Sequence, residues 1–165
     1  MSTKDAATTT APPAATPSRP ALDEFGGTIG IGSARTIRAP WHGSSIPRVR
    51  VAVNQDLVAR GVSEETLNEV ALVVSELVGN ALRHAEPLHD NTVRIHWTEK
   101  NGVVEVDVTD GGGETAPKPM PHAVFATSGR GLRIVRSLAH EWGVTDKKGT
   151  ITVWASLGGP SRRRA

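Results

Sequence analysis

On either side of Asn101-Gly102 the chain alternates apolar and polar residues, Thr92-Val-Arg-Ile-His-Trp-Thr98 before the pair and Val103-Val-Glu-Val-Asp-Val-Thr109 after it. Successive strand side chains point to opposite faces, so a period of two gives each run one apolar face. Asn-Gly is the pair best able to adopt the left-handed turn that reverses antiparallel strands. An isolated hairpin is marginal in water, so this one must bury its apolar face against other elements.

Helical patterns upstream can supply that cover. From Ser45, apolar residues recur at helical spacing (Val49, Val53, Leu57, Val58), with Pro47 tolerated in the first turn and Gly61 ending the run. Ser63 can cap a second helix whose positive end suits Glu64 and Glu65. Leu67, Val70, Ala71, Val74, Leu77, Val78, Ala81 and Leu82 give it a broad apolar stripe, running to about His84 before Pro87. A short strand is expected within Gly32 to Trp41. Leu132, Ile134, Val135, Leu138 and Ala139 predict a third helix opening at Gly129 to Gly131. Trp142–Thr145 and Thr150–Ala155, joined through Asp146-Lys-Lys-Gly149, predict a closing hairpin. Together these describe an α+β fold: a two-layer sandwich of a mixed, largely antiparallel sheet covered on one face by about three helices.

The 165 residues suffice for one domain with its own core. Residues 1–27 are mostly Ala, Thr, Pro and Gly and are expected to be a disordered leader. The domain is placed at 28–158 and a basic tail at 159–165. Gly111 to Ser128, rich in Gly and Pro and without periodicity, is expected to form a lid. The absence of cysteine excludes disulfides and thiolate metal sites. No run approaches the roughly 20 apolar residues of a membrane span, and the N-terminus lacks a signal-peptide core, so a soluble, cytoplasmic protein is expected. The net charge is only +2, three of the positive residues are Arg162, Arg163 and Arg164, and aromatics make up 4%. That balance argues against direct nucleic-acid binding.

Three motifs carry chemistry. Glu76 and Asn80 lie four residues apart, hence on one face, in an otherwise apolar stretch of the second helix. The asparagine oxygen could join phosphate oxygens on Mg²⁺, and the glutamate could accept a proton from a nucleophile. A solvent-facing polar strip is the plainer alternative. Asp110-Gly-Gly-Gly113 ends a strand; its carboxylate could accept from an exocyclic amine such as that of adenine while Gly112 lets the base lie close, or the motif could be a simple turn. Gly129-Arg-Gly-Leu-Arg-Ile-Val135 opens a helix whose free N–H groups suit phosphate, or it is an ordinary glycine-rich helix entry. His84, His89 and Asp90 read as exposed residues near a helix end rather than a metal site. Trp41, Trp97, Trp142 and Trp154 read as packing residues. The P-loop and nucleophile-elbow signatures are both missing.

In combination and in this order, with Gly149-Thr150 entering the last strand, the motifs resemble the histidine-kinase, gyrase and mismatch-repair ATPase superfamily, whose fold is of the Bergerat type. Glu76-Leu-Val-Gly-Asn-Ala-Leu-Arg-His-Ala85 and Gly129-Arg-Gly-Leu-Arg-Ile-Val135 are similar to the asparagine and glycine boxes of its anti-sigma-factor serine kinase branch. The resemblance spans residues 28 to 157. It implies ATP and Mg²⁺ as cofactors, with Glu76 the catalytic base and Asn80 the metal ligand. It also implies that Asp110 and Gly112 hold adenine and that Gly129, Gly131 and Leu132 touch phosphates through their backbone. Arg83 follows the asparagine where the family often has a basic residue, and Thr150 matches the threonine that helps Asp110 frame adenine. Glu114 departs from the family, which usually has glycine there.

The implied activity is that of a serine/threonine protein kinase regulating transcription, which phosphorylates an anti-anti-sigma-like partner, alternatively sequesters a sigma factor, and dimerises. The competing reading is a non-catalytic module whose nucleotide controls partner docking. A sensor histidine kinase is not expected, because no room remains for its dimerising helices.

Overall fold

The computed structural model describes residues 19–113 and 130–160. Its elements run β1 (Ala34–Pro40), α1 (Ser45–Ala59), α2 (Glu64–His84), β2 (Thr92–Lys100), β3 (Val103–Asp110), α3 (Arg130–Leu138), β4 (Glu141–Lys147) and β5 (Thr150–Gly158). The strands form one sheet in the order β1-β2-β3-β5-β4. The sequence suggested a mixed, largely antiparallel sheet; among the described residues all four strand pairings are antiparallel. The connection from β3 through α3 delivers β4 in the same direction as β3, and β5 folds back between them, antiparallel to both. The expected Glu114-containing lid segment and the tail from residue 161 lie outside the described residues.

Local chemistry accounts for the boundaries. The β2–β3 turn has Asn101 at φ 53° and Gly102 at φ 80°, and the β4–β5 turn has Lys148 at φ 53° and Gly149 at φ 85°. Two consecutive left-handed residues match the twist of the flanking strands. The second turn is therefore shorter than the sequence suggested, and β4 continues to Lys147. Ser63 caps α2, its hydroxyl accepting from the Thr66 N–H at 3.3 Å, with Glu64 and Glu65 at the positive end of the helix. Gly61, at φ 80°, releases the chain from α1.

All three helices cover one sheet face, α1 over β1 and β2, α2 over β3 and β5, and α3 beside α2 and β4. Val70, Val73, Val74, Leu77 and Val78 of α2 form the central layer of the core, which includes Ile95, Trp97, Val104, Val106, Val108, Ala155 and Leu157 of the sheet. Val58, expected in the apolar pattern of α1, is about half exposed, since a helix resting on a sheet buries one face only. Trp97 is fully buried, Trp41 and Trp142 pack partly against the core, and Trp154 stands on the opposite sheet face over Gly143.

Residues 19–27, the end of the leader expected to be disordered, are attached by polar contacts and by Phe25, which packs partly buried against the core. Leu22 bridges Thr28, and Asp23 accepts from the Phe25 and Gly27 N–H groups and pairs with Arg35. Glu24 pairs with Arg48 of α1. Residues 1–18 lie outside the described part. Asp56 of α1 completes the attachment: fully buried, it accepts from the Gly30 N–H at 2.6 Å, Trp97 Nε1 at 2.7 Å and Arg60 Nε at 2.7 Å. Burial alone would raise its pKa, but these bonds and the Arg60 charge together hold it below the ordinary value. Among the described residues no helix is long and apolar enough to cross a membrane.

Candidate functional site

Strand alternation builds the first half of the site. On β3 the inward positions are Val104, Val106 and Val108, and the next position in that register is Asp110. A carboxylate thus occupies the end of an apolar row and is only 2% exposed. Burial pushes its carboxyl up to about 6, with the Gly112 N–H, 2.7 Å from Oδ1, pulling the other way. Among the described residues that N–H is the only donor to the carboxylate. Gly112 is buried at φ 79°, and a Cβ there would meet the Gly149 carbonyl oxygen at 2.5 Å. No other residue type fits without moving the loop.

The C-terminal half of α2, whose exit is hydrogen-bonded to the loop after Asp110, carries the next candidates. Glu76 and Asn80 are half-buried on one face, as their spacing requires. Asn80 Oδ1 accepts from Arg83 Nη2 at 2.8 Å, while its Nδ2 is buried without a hydrogen-bond partner among the described residues. A buried donor left unmatched costs about 1–3 kcal/mol, so this amide suits a guest that carries acceptor oxygens. The Glu76 carboxylate has no ion-pair or side-chain hydrogen-bond partner among the described residues, which leaves it available as a proton acceptor.

The remaining candidates occupy two edges of this region. Gly131 and Leu132 fall in the first turn of α3, where backbone N–H groups lack helical acceptors; the Leu132 side chain is buried in the core. Gly129 and Glu114 lie outside the described residues. Thr150 begins β5, but its hydroxyl donates back to the Lys147 carbonyl at 2.7 Å, and Ile151 stands directly opposite Asp110. His84, His89 and Asp90 are exposed, and Asp90 pairs with Arg38.

One part of the site was not read from the sequence. The chain leaving α2 binds the Asp110 loop: the Glu86 N–H donates to the Gly112 carbonyl at 2.7 Å and the Gly111 N–H to the Glu86 carbonyl at 2.8 Å. The glycine at position 111, the first of three in a row, was the available signal.

The donor set fits a purine nucleotide with its metal. Asp110 offers a desolvated acceptor to an exocyclic amine, Asn80 Nδ2 offers a donor to phosphate, and Asn80 Oδ1 is a neutral oxygen of the kind Mg²⁺ takes. Among the described residues no three carboxylates or imidazoles cluster as a metal cage. Mg²⁺ here would therefore draw most of its ligands from phosphate and water, its usual habit with nucleotides.

Comparison with known proteins yields two findings. Residues 43–156 match the family described as "Histidine kinase-like ATPase domain". The crystal structure of the RsbU and RsbW domains of Rv1364c from Mycobacterium tuberculosis has a similar fold, with a TM-score of 0.60 at 18% identity. The match covers 81% of this chain and 35% of that one, so this chain spans about a third of its length. No curated protein matches the sequence.

Proposed function

The chain belongs to the family of histidine kinase-like ATPase domains, and from that premise we propose that it is a cytoplasmic ATP-dependent serine/threonine protein kinase that acts as an anti-sigma factor. Its substrate is the serine or threonine hydroxyl of an anti-anti-sigma-like protein, and its other partner is a sigma factor. The RsbW domain in the similar structure points to this partner-switching class. The observation that carries the nucleotide reading is the buried donor at Asn80 Nδ2, which has no hydrogen-bond partner among the described residues, together with the desolvated Asp110 carboxylate, whose one donor among those residues is the Gly112 N–H.

In this reading Asp110 accepts from the adenine amino group and Gly112 gives the base room. Backbone N–H groups at Gly129, Gly131 and Leu132 receive phosphate oxygens, and Arg83 holds the Asn80 amide in orientation. Mg²⁺ held through Asn80 supplies charge neutralisation on the phosphates. Glu76 takes the proton of the partner hydroxyl as its oxygen bonds to the γ-phosphorus, and the bond to the β–γ bridging oxygen breaks to leave ADP. Such transfer rests on positioning and electrostatics, so a single basic side chain suffices. Thr150 can donate toward adenine only after its hydroxyl leaves the Lys147 carbonyl, whereas it can accept a hydrogen bond without leaving it.

Titration of Mg²⁺-ATP and Mg²⁺-ADP into the wild type, Asn80→Ala and Asp110→Ala, each checked for folding, tests the site. Binding by the wild type that is lost in both variants is expected; a folded wild type that binds neither nucleotide would overturn the reading. Phosphate transfer to the partner, abolished in Glu76→Ala with ADP binding retained, tests the kinase step. ATP-dependent partner binding without transfer in the wild type would establish the non-catalytic module instead.

A further inference from the structure

We propose that Gly111 is a positioning residue for base recognition: it lets the Asp110 loop lock against the exit of α2, so that Asp110 is held at a set place relative to Asn80 before a nucleotide arrives. This rests on the nucleotide reading above and gives a role to the motif glycine between Asp110 and Gly112, to which that reading assigns none. The lock consists of two reciprocal backbone hydrogen bonds, Glu86 N–H to Gly112 O at 2.7 Å and Gly111 N–H to Glu86 O at 2.8 Å. It resembles one rung of a ladder between two segments that belong to no strand.

Glycine at position 111 is required by space and not by backbone conformation. Gly111 is absent from the positive-φ glycines, which include its neighbours Gly112 and Gly113, so alanine could adopt its dihedral angles. A Cβ at 111 would collide with the Pro87 carbonyl oxygen, and would lie 2.9 Å from the Pro87 carbonyl carbon and 3.1 Å from Glu86 O. These are backbone atoms, so no rotamer change relieves the contact, and Pro87 stiffens the segment by fixing its own φ. On the far side the Gly112 position is bounded by Gly149 O, at 2.5 Å from a Cβ built there. The loop is therefore held between the α2 exit and the β4–β5 turn, and its Gly112 N–H orients the Asp110 carboxylate. Any displacement at 111 passes directly to the acceptor that reads the base.

The test is base discrimination, which general damage to the fold would not change selectively. Affinities of wild type and Gly111→Ala for Mg²⁺-ADP and Mg²⁺-GDP are measured by calorimetry, with folding checked by circular dichroism. The expected result is a loss of about tenfold or more for ADP, the scale set by two hydrogen bonds of ordinary net strength. GDP affinity should change little, so that the preference for ADP collapses. Pro87→Gly, which lets the carbonyl retreat, should restore part of the ADP affinity in the double variant, and alone should lower discrimination mildly. If Gly111→Ala does not fold, Pro87→Gly alone carries the test. Undiminished ADP preference in a folded Gly111→Ala, or in Pro87→Gly where it is the sole folded variant, would overturn the proposal, as would parallel loss of both nucleotides. Failure of the wild type to bind ADP would instead remove the nucleotide reading itself.

Discussion

Replacing Asp110 with asparagine removes a titration that burial has displaced, and the consequence for stability can be worked out with its sign. The folded carboxyl titrates at about 6 against an ordinary 3.8. A pKa raised on folding contributes stability that is complete below the ordinary value and vanishes as pH rises through the folded value. The full gap is equivalent to about 3 kcal/mol at 1.36 kcal/mol per pH unit. Between pH 4 and 7.5, and allowing for residual solvent screening at the end of the strand, about 1–2.4 kcal/mol remains. Urea unfolding of wild type and Asp110→Asn at half-unit pH steps reads this directly, because Asp56 and the other carboxylates titrate in both proteins and cancel in the difference. The stability of wild type minus variant should fall by that amount from pH 4 to 7.5, most of it between the ordinary and the folded pKa, with a midpoint at about pH 5. A difference that is flat with pH, or that rises, would refute the claim that desolvation dominates at Asp110. The same ionisation should govern the site: ADP, which needs the carboxylate as acceptor, should bind roughly tenfold more weakly at pH 5 than at pH 8.

Glu76→Gln should retain ADP affinity within about threefold while phosphate transfer falls to background, because glutamine keeps the shape but cannot take the proton. Asp56→Ala strands Arg60, Trp97 Nε1 and the Gly30 N–H around a buried gap, and should cost about 3–5 kcal/mol in urea unfolding. Because the Asp56 pKa lies below 3.8 in the folded protein, its contribution should be present above that pH and be lost below it on acid titration. Ser63→Ala removes the cap of α2 and should cost about 1 kcal/mol without altering the ratio of ADP to GDP affinity.

The elements formed by neighbours in sequence were legible because their physics is short-range. Asn101-Gly102 set the β2–β3 turn, Ser63 set the start of α2, and the spacing of Glu76 and Asn80 set their common face. The order of the boxes pointed to the family that the match over residues 43–156 identifies. Asp110 could be read as a strand-end carboxylate, though not as one in the inward row that ends Val104, Val106 and Val108. The Asp56 node was invisible, since its partners Gly30 and Trp97 are 26 and 41 residues away and nothing in their local patterns marks the meeting.

Periodicity and turn chemistry therefore dictated which segments are helices and strands and which faces they bury. The insertion of β5 between β3 and β4, the desolvation of Asp110 and the lock of Gly111 and Gly112 against Glu86 came from the path of the chain. Each depends on which distant backbone arrives beside it, and that is settled by packing all the apolar faces into one core, a condition no local window of residues contains.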